Sequence, residues 1–179
     1  MSDLPPYFMW FPKSYRWSSA LLNIISTAPF GGADISEVYQ IRRMLETSDQ
    51  EDDEAWFKAC NTVAQKVEKH AEGFYEEGFM SPSAAMYLRA SNYYQMAERF
   101  RTPKDEKAIN SFKMGVDCFH KFIQIGTEDI EIVEIPYEGK SLPAYFVRAS
   151  GNNTKEPTPC VIYFDGLDIT KEIQYLRGG

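Results

Sequence analysis

The sequence predicts an α+β chain, helical through residue 125 and stranded from residue 126 onward. Three observations predict it. Apolar residues recur at helical spacing in long stretches between 35 and 125; β-branched and alternating residues replace them after Gly126; and an uninterrupted apolar run, Cys160-Val161-Ile162-Tyr163-Phe164, follows a polar loop. The change of pattern divides the chain into a helical domain, 1–125, and a second unit, 126–179.

The first helix is expected over 35–46, turning Val38, Ile41 and Leu45 inward. Three longer helices follow, each with a start signal. Ser48 with Glu51 has the form of a capping box, and Ser81-Pro82 and Thr102-Pro103 each place a hydroxyl before a proline suited to the first helical position. The acidic stretch 49–54 suits a solvated helix start, where negative charge complements the macrodipole. In the first long helix Trp56, Cys60, Val63, Val67, Ala71 and Phe74 share one face. In the second, Met86, Ala90, Tyr93, Ala97 and Phe100 form a stripe, and Ala84, Tyr87 and Tyr94 form another, so this helix packs on two sides. In the third, Ala108, Phe112, Phe119 and Phe122 align, and Gly115 permits close approach of a neighbour. The short stops between these helices predict antiparallel neighbours.

After Gly126, Ile130, Ile132, Val133 and Ile135 predict a strand, Tyr137-Glu138-Gly139-Lys140 a turn, and Leu142, Ala144 and Phe146, alternating with Ser141, Pro143 and Tyr145, a second strand of a hairpin. Residues 150–159 read as a loop. The run 160–164 is short and β-branched, as expected of a strand covered on both faces, and such a strand belongs in a sheet larger than this chain builds.

Composition narrows the function. With Lys+Arg 19 against Asp+Glu 26 the net charge is -7, which repels a phosphate backbone, so nucleic acid is not an expected partner. No apolar run reaches the roughly 18 residues of a membrane span, and the N-terminus has no basic residue before its apolar positions. A cytoplasmic protein is the default. The three cysteines, Cys60, Cys118 and Cys160, fit reduced, buried thiols. The two histidines, His70 and His120, lack metal-ligand spacing; no metal or cofactor is expected. The aromatics Tyr7, Phe8, Trp10, Phe11, Tyr15 and Trp17 could wall a pocket, help form a homodimer or simply pack.

The chemistry points to the segment after the apolar run, Asp165-Gly166-Leu167-Asp168-Ile169-Thr170. A strand ending in a Gly-containing turn before a helix sets backbone N–H groups at the carboxyl end of a sheet, where ligands of α/β proteins bind. Gly166 would permit the tight backbone, and the Leu167 N–H is the candidate donor to an oxyanion: a fixed amide stabilises the charge on a tetrahedral intermediate without reorganising. The plainer reading is an ordinary turn with Asp168 or Thr170 capping the next helix.

The order of a helical region, a hairpin, the segment VIYFDGLD and then TKE resembles the N-terminal half of α/β-hydrolases with a helical cap, a family that includes fungal polyketide-shortening hydrolases. Pro29-Phe30-Gly31-Gly32-Ala33-Asp34 with Glu37 is similar to a second motif of that family; read on its own, it is a flexible turn and a helix cap at Asp34. Where the family has Gly-Gly-Leu-Asp, this chain has Asp165-Gly166-Leu167-Asp168.

The resemblance implies a serine hydrolase acting on a small-molecule carbonyl, either at a carbon–carbon bond next to a ketone or at an ester-like bond. Substrate would lie between cap and core, with Gly166 and Leu167 in the oxyanion loop and Asp168 as a substrate contact. No Gly-x-Ser-x-Gly occurs, and both histidines precede the hairpin, whereas the triad of this fold runs Ser, acid, His. The chain alone is therefore expected to be inactive and to need the C-terminal part of the hydrolase as partner. Left uncovered, Ile132, Val161, Ile162 and Phe164 would each forfeit roughly 1.5–3 kcal/mol. The competing class is a non-enzymatic helical interaction module, with a peptide groove lined by Tyr87, Tyr93 and Tyr94.

Overall fold

The computed structural model describes residues 9–50, 52–149, 159–164 and 166–178. Six helices and one hairpin follow in order: α1 (Tyr15–Ser26), α2 (Ile35–Leu45), α3 (Asp53–Glu76), α4 (Met80–Glu98), α5 (Glu106–Ile125), β1 (Ile130–Tyr137), β2 (Lys140–Val147) and α6 (Lys171–Gly178). The α+β class and the change of character after residue 125 are as expected.

The helical stripes fall where their spacing puts them. Val38, Ile41 and Leu45 of α2 are buried, as are Trp56, Cys60, Val63, Val67 and Ala71 of α3. Helix α4 lies between α3 and α5 and is buried on both sides, including every residue from 90 to 97. Gly115 of α5 makes that approach possible: a Cβ there would meet Gln95 Cγ at 2.8 Å and the Ser91 carbonyl oxygen at 3.1 Å. Phe112 departs from its stripe and is exposed. Tyr87, Tyr93 and Tyr94 are all buried, so they line no groove for a peptide.

The starts of the three long helices differ from those expected, two of them for a common reason. At α3 the cap is Asp52, whose carboxylate accepts from the Glu54 and Ala55 amides at 2.9 and 3.1 Å. Ser48 lies upstream of it, and Glu51 lies outside the described residues. At α5 the cap is Asp105, which accepts from the Ala108 amide at 2.9 Å, and Thr102-Pro103 lies in the preceding turn. At both sites a carboxylate closer to the helix supplies a stronger, charge-assisted acceptor than the hydroxyl. Helix α4 begins at Met80 without a side-chain cap; Ser81 and Pro82 fall inside its first turn, where a missing N–H costs nothing.

An element the composition did not announce is α1. Ser14 caps it, accepting from the Trp17 amide at 3.2 Å, and Trp17, Leu21 and Ile24 are buried. Phe11 and Trp17 stack edge to face at 5.2 Å within the core, and so cannot wall an open pocket. Tyr15 is exposed, Trp10 is half-buried, and Tyr7 and Phe8 lie outside the described residues.

The hairpin forms in the expected register, from Ile130 opposite Val147 to Tyr137 opposite Lys140. Its two-residue turn has Glu138 at φ 47° and Gly139 at φ 74°, both positive as a type I′ turn requires. Tyr145 faces the helices, its ring 4.8 Å from Phe119, while Ile135, Leu142 and Phe146 are exposed.

Residues 160–164 correct the expectation of a strand covered on both faces. They join no regular element, and Val161, Ile162 and Phe164 are 86%, 83% and 84% exposed. The only sheet among the described residues has two strands, and neither pairs with this segment. Cys160 is likewise exposed, unlike the buried Cys60 and Cys118, because its burial depended on that strand.

Candidate oxyanion turn

The turn at 166–168 leads into α6. Its internal hydrogen bond runs from the Ile169 amide to the Gly166 carbonyl at 3.3 Å. Thr170 then caps α6: its hydroxyl oxygen accepts from the Ile173 amide at 3.3 Å and its carbonyl from the Gln174 amide at 2.8 Å. Ile173 and Leu176 anchor α6 in the helical core. The turn is also tied to α4. Arg99 donates from Nη1 to the Asp168 carbonyl at 3.1 Å, with Nη2 at 3.6 Å from its carboxylate, and the Thr170 hydroxyl donates to Gln95 Oε1.

The three residues singled out from the sequence are therefore adjacent in a surface turn. Leu167 is fully exposed, 104% on the scale of a free side chain, and its amide has no hydrogen-bond acceptor among the described residues. Gly166 meets nothing within 4 Å of an added Cβ and is not in the left-handed region, so this turn places no steric demand for glycine there. Asp168 points a largely exposed carboxylate toward Arg99 and caps nothing; Thr170 takes that role.

The second motif, 29–34 with Glu37, forms a part-buried polar joint. Asp34 caps α2, accepting from the Ser36 amide at 2.8 Å, and hydrogen bonds from Ser36 hold its carboxyl below the usual range. The Asp34 amide donates to the Tyr93 hydroxyl at 3.0 Å, and Tyr93 donates onward to Glu37 at 2.7 Å. Arg89 pairs with Glu37 at 3.0 Å. Asn92 donates to the Gly32 carbonyl at 2.9 Å and to Thr27 Oγ1 at 3.1 Å. Burial, and then the Glu37 charge, push the Tyr93 hydroxyl well above its usual range, so it serves here as a neutral donor.

A further cluster carried no sequence signal. Glu172, 1% exposed, accepts at Oε1 from the Tyr145 hydroxyl and from Lys171, both at 2.6 Å. His120 Nε2 lies 3.1 Å from the same hydroxyl. The tyrosine proton is committed to Glu172, so Nε2 carries the hydrogen and donates to the tyrosine oxygen. These residues come from α5, β2 and α6, which is why spacing along the chain could not reveal them. His120 also borders an open cavity of about 360 Å³ with Glu68, Met114, Asp117, Lys121 and Gln124, which shares no lining residue with the 166–168 turn. Among the described residues no group of His, Cys, Asp and Glu could hold a metal ion, and no helix is long and apolar enough to cross a membrane.

The chain resembles known hydrolases in fold and in sequence. The solved structure of 2,6-dihydroxy-pseudo-oxynicotine hydrolase superposes with a TM-score of 0.52 at 19% identity, over 68% of this chain and 32% of that one, a likeness of fold. In sequence, the chain is 30% identical over 172 residues to the α/β-hydrolase xenA of Xenoacremonium sinensis, covering 94% of this chain and 40% of the relative. It is 27% identical over 161 residues to the 20-hydroxy-prefusarin hydrolase FUS2 of Gibberella moniliformis, covering 88% and 38%. No protein-family profile matches. The chain is similar to these α/β-hydrolases over part of their length, spanning about 40% of the curated relatives it matches.

Proposed function

We propose that this chain supplies the cap and one backbone oxyanion donor of a serine hydrolase acting on a small-molecule carbonyl, at a carbon–carbon bond beside a ketone or at an ester-like bond. The observation that carries the reading is the Leu167 amide, which has no acceptor among the described residues, on a solvent-facing turn preceded by exposed Val161, Ile162 and Phe164. A donor free of acceptors among the described residues and an apolar strand sequence that joins no sheet there are both accounted for if further hydrolase polypeptide covers them.

In this reading the nucleophilic serine adds to the carbonyl, and the negative charge that gathers on oxygen is met by the Leu167 N–H and by the amide following the nucleophile. The serine, its histidine and the acid lie on the complementary polypeptide. In the same reading Asp168, beside the donor, contacts substrate. A homodimer is compatible with the reading but does not carry it.

The test is complementation. The 179 residues alone are expected to show no esterase turnover, and mixing with a C-terminal polypeptide bearing Gly-x-Ser-x-Gly is expected to produce it. Leu167→Pro, which removes the donor, then lowers kcat by about 10²–10³-fold. Turnover by the isolated chain, or none on mixing, sinks the proposal.

A further inference from the structure

We propose that Arg99 is a positioning residue for the oxyanion turn, holding it through the Asp168 carbonyl while the buried Gln95 fixes its far side at Thr170. The inference rests on the functional reading above, which gives the turn its role.

The hydrogen bond that closes the turn, from the Ile169 amide to the Gly166 carbonyl, is long, 3.3 Å, and the side chain at the tip buries nothing against the described residues. An oxyanion donor works only if its direction is set before reaction, so the order must come from outside the turn. Helix α4 provides it at two points. Arg99, at the C-cap of α4, donates to the Asp168 carbonyl at 3.1 Å, one residue past Leu167. The carboxylate of Asp168 is 76% exposed and 3.6 Å from the guanidinium, so the backbone contact, not the ion pair, carries the restraint.

Gln95 is the second point. It is buried, and its Nε2 donates to Ser91 Oγ at 3.3 Å, which leaves Oε1 to accept from Thr170. Gly115 of α5 makes room for it, since an added Cβ would lie 2.8 Å from Gln95 Cγ. The bend is thereby referenced to the closely packed α4–α5 pair.

The test uses the 179-residue chain and then the complemented enzyme. In the chain, the 15N order parameter of the Leu167 amide is expected near 0.85 for the parent and below about 0.6 for Arg99→Ala. Arg99→Lys, which can still donate to the carbonyl, restores part of it, and Lys107→Ala changes nothing. In the complemented enzyme Arg99→Ala is expected to lower kcat at least ~10-fold, with KM little changed and Arg99→Lys in between. An unchanged Leu167 order parameter in folded Arg99→Ala, or a lysine variant no better than alanine, overturns the positioning role. Should the parent pair show no turnover while the order parameters respond as expected, the hydrolase reading falls and the restraint of the turn by Arg99 stands.

Discussion

Gly32 lies where the loop after α1 meets α6. A Cβ there would sit 2.7 Å from Thr27 Oγ1 and 2.8 Å from Leu176 Cδ1, closer than side chains approach. Gly32→Ala is therefore expected to lower stability by about 1–3 kcal/mol, read as a shift of the urea midpoint. Asn92→Ala strands the buried Gly32 carbonyl and removes the donor to Thr27 Oγ1, which keeps its own bond to the Ile24 carbonyl, and is expected to cost about 1–3 kcal/mol in the same measurement. The sequence shows Gly31-Gly32 as a turn and Asp34 as a cap, and both readings hold: Gly31 has φ 79° and Asp34 caps α2. What it could not show is why the second glycine is needed, because the atoms that exclude a side chain belong to Thr27, brought back by the fold of the loop, and to Leu176, in a helix at the other end of the chain.

At the scale of elements, acidic caps and their partners set the response to pH. Arg101 holds the Asp105 carboxyl well below its usual range, helped by the Ala108 amide, and Arg101 with Lys107 lowers Glu54. A carboxylate depressed in the folded state contributes stability that is complete above its unfolded pKa, about 4. That stability is lost as pH falls through the folded value. The urea midpoint is expected to decline below about pH 4, and the decline is expected to be shallower in Arg101→Ala, which removes the partner of both groups. The periodic helices and the hairpin were legible because their signals are local, a stripe or a turn. The starts of α3 and α5 were not, since an upstream hydroxyl, Ser48 with Glu51 or Thr102 before Pro103, and a carboxylate nearer the helix are rival cap signals that only the folded geometry ranks. Helix α1 has a legible pattern, Ser14 followed by Trp17, Leu21 and Ile24, obscured by aromatic residues that also suit a pocket wall.

At the scale of the whole molecule, the exposed run 160–164 is the feature most at odds with a self-contained fold. Cys160 reports on it. In the native chain a thiol reagent is expected to modify Cys160 and spare Cys60 and Cys118, which are buried and whose thiols burial pushes far up; all three react after unfolding. Adding the complementary hydrolase polypeptide is expected to slow Cys160 labelling at least tenfold, as judged by mass spectrometry. Labelling that stays fast in an active complex would mean that the segment remains outside the sheet.

The sequence by itself determined the helical stripes, the hairpin with its turn, the change of architecture after residue 125 and the location of a Gly-Leu-Asp turn before a final helix, because each depends on residues a few positions apart. Only the tertiary structure decided that Arg99 and Gln95 meet that turn, that Glu172, Tyr145 and His120 converge, and that 160–164 stands uncovered. Those outcomes depend on which distant elements come together. A strand's burial is a property of the sheet around it, which a local pattern can call for but cannot supply.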